Sequence, residues 1–427
     1  MQFKAARFIP AMPALRSRNY RLFFFGQGVS LIGNWMTLTA TIWLVYHLTN
    51  SALMLGIVGF ASQFPNFVLT PFAGVLVDRW DRHKTIIVTQ VLAMIQSLTL
   101  AALALTNNIE IWHLVVLSMG QGCINAFDMP ARQAFVVKMV DRKEDLGNAI
   151  ALNSSIFSGA RLIGPAIAGL VIAAVGTGSC FLIDGLSYIA VIAGLLAMRL
   201  PPLTGGMPKS TNTILHQLKE GFDYAFGFPP IRSILLLIAL VSFVGMPYTT
   251  LAPIFAKEVL QGGPETLGFL MAASGLGALI AAVYLSTRPS VLGLTKLIAI
   301  APAIFGVALI TFAFSRVLWL SLLAMVLLGM SLIMQHTSGN TILQTIVEED
   351  KRGRVLSFYL MAFISMVTFG NLLAGMLASW IGAPNTLMIG GVLCIVGSLL
   401  FIRQLPQMRN HIRPIYRKIG VLPQVPT

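Results

Sequence analysis

Asp128, Arg132, Arg161, Asp184 and His336 are the residues of this sequence best placed to do chemistry, because each interrupts a long apolar run. An ionisable side chain surrounded by hydrocarbon is costly enough to demand a partner or a function. Asp128 and Arg132 are four apart, so on a helix they share one face and can satisfy each other. At 1.5 Å per residue Arg161 lies about 22 Å beyond Leu146, and Asp184 about 22 Å from Arg199, which puts the two at similar depth and leaves Asp184 available to Arg161. If both carboxylates are paired in this way, the pairs are structural. The alternative is that Asp128 or Asp184 exchanges its cation for a proton during a working cycle, as a carrier coupling two gradients must. His336, within Met334-Gln335-His336-Thr337, changes charge near neutral pH if it meets water. It is read as a coupling site, a substrate ligand or a hydrogen-bonded cavity residue.

The elements that must position these residues are membrane spans. The 427 residues are 56% hydrophobic and only 10% charged, with a mean hydropathy of +0.81, whereas soluble domains carry about 25% charged residues. Apolar runs long enough to cross a bilayer as helices follow one another with short polar breaks. Twelve are expected, at 20–47, 51–77, 84–106, 110–138, 146–175, 178–199, 232–256, 265–287, 295–314, 317–347, 353–380 and 384–403. The first run lacks a small-residue cleavage site and is read as a retained span. The net charge of +14 follows the positive-inside rule. With the N-terminus inside, Lys257 and Arg316 fall near external ends and Arg161 lies mid-span, while every other Lys and Arg falls on the cytoplasmic side. That distribution argues against nucleic acid as a partner and puts both termini in the cytoplasm. Cys123, Cys180 and Cys394 each sit inside an apolar run without paired spacing, so they are read as packing residues.

The pattern breaks at Pro201-Pro202 and Gly205-Gly206, then resumes with Leu215, Leu218, Phe222 and Phe226 on one helical face, as expected of an amphipathic helix on the inner membrane surface. The expected organisation is a cytoplasmic segment 1–19, a six-helix bundle 20–199, a linker 200–231, a second six-helix bundle 232–403, and a basic tail 404–427 lying on anionic lipid. An internal repeat supports the division: Gly147, Gly164 and Gly169 recur as Gly353, Gly370 and Gly375, and Gly33 and Gly56 recur as Gly245 and Gly268. Repeated halves are how many secondary transporters build alternately exposed cavities.

Between the second and third spans runs Gly74-Val75-Leu76-Val77-Asp78-Arg79-Trp80-Asp81-Arg82-His83-Lys84. This loop resembles the signature of the major facilitator superfamily, G-x-x-x-D-R-x-x-R followed by basic residues. The resemblance implies an all-α membrane fold of twelve helices in two pseudo-repeated bundles. It also implies that Gly74, Asp78, Arg79, Arg82 and Lys84 form a conformational latch between the halves. The physical basis is independent of family, since a carboxylate at the membrane edge is stabilised by helix N-termini and by neighbouring cations; the bland reading is a positive-inside anchor. Further segments narrow the resemblance: Leu15 to Arg21 before the first span, Asn125 to Phe135 in the fourth, and Asn148 to Ser154 and Ala160 to Gly169 in the fifth. They are similar to bacterial exporters that include enterobactin exporters and macrolide efflux pumps. That implies a multi-pass protein of the bacterial inner membrane, exporting an amphipathic organic solute such as a drug-like compound or siderophore by alternating access, as an antiporter exchanging protons. Gly159, Gly164, Pro165 and Gly169 are similar to the antiporters' Gly-Pro motif; Pro165 removes a backbone donor and the glycines permit close packing.

Two departures touch the coupling. Ser118 stands where the drug exporters' R-x-x-Q-G motif has arginine, and the first span carries Gly33-Asn34-Trp35 at the depth where many proton-coupled relatives have an acid. By resemblance the cavity is lined by the first, fourth, seventh and tenth spans, giving Asn34, Trp35, Gln121, Asn125, Met246, Tyr248 and Gln335 as substrate contacts; aromatic, thioether and amide groups suit bulky, partly apolar ligands. Expected partners are that solute, membrane lipid and protons, with the chain acting as a monomer. No cofactor is expected, and no Walker loop follows a strand to bind ATP. The alternative is a flippase of the same fold moving lysophospholipid. An enzyme is disfavoured, since no Ser/His/Asp, HExxH or paired-acid set lies at one membrane depth; no metal site is expected.

Overall fold

The computed structural model describes residues 12–199, 223–288 and 290–418, and contains no strand among them. The helices are α1 (Arg18–Thr49), α2 (Ala52–Arg79), α3 (Arg82–Leu105), α4 (Ile111–Met139), α5 (Leu146–Val175), α6 (Thr177–Leu196), α7 (Pro229–Val244), α8 (Tyr248–Ile254), α9 (Pro264–Ser286), α10 (Leu294–Phe314), α11 (Leu318–Ile346), α12 (Glu349–Ile381) and α13 (Ala383–Lys418). Among the described residues eleven segments are long and apolar enough to span a bilayer, with α7 and α8 joined as one. The twelfth span is α4, which carries His113, Gln121, Asn125, Asp128 and Arg132 and is correspondingly less apolar.

Local chemistry fixes the helix ends. Ser51 accepts from the backbone of Met54 to cap α2, and Asp81 accepts from His83 and Lys84 to cap α3, satisfying amide donors that have no partner within the helix. Gly176 and Gly382, both at φ +85°, end α5 and α12 in a conformation that favours glycine. They stand at the same offset as Gly164 and Gly370, so the repeat read from the sequence extends to the turns.

Two compact units emerge. The first holds the described residues of 12–54 and 61–199 together with 262–272; the second holds 55–60, 223–261, 273–288 and 290–418. In the first, α1 packs on α5 and α6, and α3 on α4 and α6. In the second, α7 packs on α12 and α13, and α10 on α11 and α13. The adjacency is thus repeated. Each unit also takes in the first turns of a helix from the other half of the sequence, through matching glycine contacts. In the first, a Cβ on Gly169 would meet Pro264 O at 2.8 Å and Gly268 Cα at 3.0 Å. In the second, a Cβ on Gly56 would meet Asn371 O at 2.7 Å and Gly375 Cα at 2.9 Å. These are the glycines that the repeat pairs with one another.

Three features differ from the expected spans. The seventh is broken at Gly245-Met246-Pro247 and finishes in a π-helical turn, Phe255–Val259, because Pro247 cannot donate to the helix ladder. In the linker, Leu215, Leu218 and Phe222 lie outside the described residues, while Phe226 packs against the core of the second unit. The basic tail does not leave the fold at 404. Although Pro406 and Pro414 occur in it, α13 runs on to Lys418. Its Met408, Ile412 and Tyr416 are buried in the cluster formed by Ile231, Ile298, Ile342 and Val355, leaving Arg403, Arg409, Arg413 and Arg417 exposed. The stripe has helical spacing and covers apolar surface that would otherwise face water.

Candidate functional site

The loop joining α2 to α3 is fastened to its own unit. Trp80 stacks on Phe127 of α4, with ring centroids 6.0 Å apart. Arg82 donates to Ala134 O of α4 at 3.4 Å, and His83 Nε2 donates to Leu195 O of α6 at 2.9 Å. A Cβ on Gly74 would meet nothing within 4 Å, so close helix approach is not its role in this arrangement. The side chain of Asp78 lies outside the described residues.

Segments that carried the resemblance turn out to interlock. Tyr20 is fully buried and its hydroxyl, with one proton to give, lies 2.8 Å from Ala149 O and 3.1 Å from Asn153 Oδ1. Asn148 Oδ1 accepts from Ala14 N, Ser17 Oγ accepts from Asp141 N, and Asn19 exchanges two hydrogen bonds with the backbone of Arg199. Their polar groups tie the N-terminal entry to α5 and α6. The residue types are thereby explained by fastening, since buried polar groups persist where they are bonded.

Asp128 pairs with Arg132 as the four-residue spacing predicts. Its other oxygen accepts from Thr89 Oγ1 and Gln90 Nε2 of α3, both at 2.8 Å. The carboxylate is therefore held by one cation and two neutral donors. Asp184, 1% exposed, is not paired with Arg161. Its Oδ2 meets the hydroxyls of Thr37 on α1 at 2.8 Å and Ser97 on α3 at 2.9 Å, and its Oδ1 has no hydrogen-bond partner. The Arg161 guanidinium stands 5.7 Å from the Trp35 ring centroid, and Trp35 meets Phe157 edge-on at 5.8 Å. Similar depth did not bring Arg161 and Asp184 together; the guanidinium lies instead over the aromatic face that Trp35 presents from α1.

The remaining candidates separate into two groups. Asn34 accepts from Tyr188 OH at 2.9 Å, and Gln121 donates to Asn125 at 3.0 Å; all these side chains are half-buried except that of Tyr188. Met246 is half-buried at the break before α8. Tyr248 and Gln335 are instead core residues: Tyr248 is bonded to Ser274 at 2.8 Å and Gln335 to Leu237 O at 3.4 Å. His336 Nδ1 lies 3.0 Å from Tyr359 OH, which donates to His336 O at 2.6 Å, and the imidazole stacks on Phe363 at 4.9 Å. On α5, a Cβ on Gly164 would meet Trp35 Cβ at 2.6 Å, whereas Gly159 has open space, and the helix continues through Pro165. A cavity of about 380 Å³ bordered by Trp43, His47, Ile172 and Pro264 contains none of the expected contacts.

Sequence reasoning missed Thr37, Thr89, Gln90, Ser97 and Tyr359. A signal existed for two of them, because Gln90 and Ser97 are seven apart and mark one polar face on an apolar helix. Among the described residues no group of three or more His, Cys, Asp or Glu could hold a metal.

The family model described as transmembrane secretion effector matches residues 9–417. The chain belongs to this family of major facilitator transporters. Similar relatives include the staphyloferrin A transporter of Staphylococcus aureus, 27% identical over 90% of this chain and 96% of that protein. The macrolide efflux protein A of Streptococcus pyogenes is 23% identical over 88% and 94%. The multidrug efflux pump Tap of Mycolicibacterium fortuitum is 26% identical over 86% and 90%. Among solved structures, a bacterial homolog of the lysosomal transporter Spinster matches with a TM-score of 0.70 at 14% identity, over 93% of this chain and 98% of that one. A POT family transporter in complex with a thioalcohol-conjugated peptide gives 0.73 at 12%, over 92% and 96%. The fold is that of the major facilitator superfamily, the chain is a multi-pass membrane efflux transporter, and its family is one of transporters, not an enzyme class.

Proposed function

We propose that this protein exports a bulky amphipathic organic solute, a drug-like compound or a siderophore, from the bacterial cytoplasm by alternating access, in exchange for protons. It acts as a monomer in the inner membrane with both termini inside. The observation that carries the reading is similarity along nearly the whole chain to relatives whose names cover a siderophore, macrolides and multiple drugs. The group of half-buried Trp35 and Arg161 with exposed Phe157 supports it, offering aromatic faces and a cation to a ligand of mixed polarity. Inside-out vesicles containing the protein should accumulate at least one member of a panel of dyes, siderophores and lysolipids, and collapse of the pH gradient should abolish the accumulation. Accumulation of none against its gradient overturns export; accumulation of lysolipids alone selects lipid movement.

Asp78, Arg79 and Arg82 serve as the conformational latch in this proposal, with Gly74 and Lys84 flanking it. Replacing Asp78 with Asn should reduce transport by more than tenfold while membrane insertion is unchanged. An unaltered transport rate would remove the latch.

A further inference from the structure

We infer that Asp184 is a proton-binding carboxyl, held in its neutral form in the packed state of the α1, α3 and α6 crossing and ionised only when that crossing loosens. The inference deepens the proton-exchange reading above by naming the group that holds the proton.

The hydrogen bonds around Ser97 favour the neutral acid. Ser97 Oγ lies 2.9 Å from Asp184 Oδ2 and 3.0 Å from the carbonyl of Phe181. A serine has one hydroxyl proton, and a carbonyl oxygen can only accept. With Asp184 ionised, both neighbours of the hydroxyl are acceptors and one contact is left without a hydrogen. With Asp184 protonated on Oδ2, a chain runs Asp184 Oδ2–H to Ser97 Oγ–H to Phe181 O, each contact carries one proton, and Oδ2 still accepts from Thr37. Oδ1 has no donor, which is far less costly for the oxygen of a neutral acid than for a charged one.

The surroundings supply no positive charge in compensation. From α1 the site is faced by Gly33 and Thr37, from α3 by Ser97, and from α6 itself by Ser187, whose hydroxyl donates to Asp184 O at 2.7 Å. Of the other titratable groups nearby, Tyr188 is bonded to Asn34, Arg161 of α5 stands over Trp35, and Asp128 and Arg132 of α4 pair with each other. Thr89 meets a similar choice, between Asp128 and Ile86 O, but there Arg132 stands beside the acid as a paired cation.

Water is excluded by close approach. A Cβ on Gly33 would stand 2.6 Å from Asp184 Oδ1, 2.9 Å from Asp184 Cα and 2.9 Å from Ser187 Oγ. Separation of α1 from α6 at Gly33 would hydrate Oδ1 and let the proton pass to water, leaving the carboxylate. Closing the crossing again requires the proton back. A buried acid gated in this way ties proton exchange to helix movement.

Infrared difference spectroscopy on the full-length protein in lipid vesicles tests this without any substrate. At neutral pH the spectrum should contain a protonated-carboxyl stretch that Asp184→Asn removes, that Ser97→Ala moves to higher frequency by deleting the acceptor, and that Asp128→Asn leaves in place. If Asp184→Asn does not insert, the band is assigned by its shifts in Ser97→Ala and Thr37→Val. The inference is overturned if these substitutions alter only ionised-carboxylate bands, or if the protonated band is indifferent to all of them. That failure leaves export untouched, and failure of the vesicle uptake experiment leaves the proton site standing.

Discussion

Asp128 and Asp184 are both buried acids in the first unit, and the main difference between their surroundings is a cation. Asp128 has a cation four residues along its own helix, whereas Asp184 has hydroxyls from α1 and α3 and no positive charge. A buried ion pair is structural in the sense that neither member can be removed without stranding the other. A buried acid held by hydroxyls can change charge by one proton without stranding a partner. Burial of an acid is therefore not in itself a sign of coupling; the nature of its donors is what separates a brace from a titrating site.

The sharpest way to break this comparison is to delete each acid's function in turn. Asp128→Ala strands Arg132 and should lower stability toward the low end of the roughly 3–5 kcal/mol expected for breaking a buried pair, since the Arg132 side chain is 25% exposed. Asp184→Asn reproduces the neutral acid, with its amide able to donate to Ser97, and should change stability by less than about 1 kcal/mol, the scale of one net hydrogen bond. Thermal unfolding in detergent measures both, and an equal loss in the two variants would dissolve the distinction. Gly33→Ala is next in size. Its methyl group must displace Asp184 or Ser187, at about 1–3 kcal/mol for overpacking, and the same unfolding assay should show the loss. Removing a supporting donor has a modest effect: Thr89→Val and Ser97→Ala should each cost about 1 kcal/mol. Only Ser97→Ala should also move the infrared band, and a shift from Thr89→Val would reassign that band to Asp128.

Much of the fold was legible in the chain. Apart from the broken seventh helix and the extended last one, the runs of apolar residues match the helices within a few residues, and the glycine repeat marks contacts that the structure forms, Gly169 with Gly268 and Gly56 with Gly375. The pairing of Asp128 with Arg132 was legible because it lies within one helix, where spacing alone sets the geometry. What Arg161 and Asp184 each meet was not, and their expected pairing does not form, because depth along two helices says nothing about which faces they turn toward each other. The π-turn after α8 and the continuation of α13 were equally hidden. The basic composition after 403 suggested a tail on the lipid surface, yet the apolar stripe through Met408, Ile412 and Tyr416 packs on the second unit and the helix continues.

The sequence by itself determined the membrane as solvent, the number and order of the spans, the two-fold repeat, and which residues carry charge into the hydrocarbon, because backbone hydrogen bonding and hydropathy act locally and are written in order along the chain. Only the tertiary structure decided what each charge meets. Thr37, Ser97 and the Phe181 carbonyl reach Asp184 from separate helices, and that choice depends on rotation about each helix axis, which is set by packing across the whole unit.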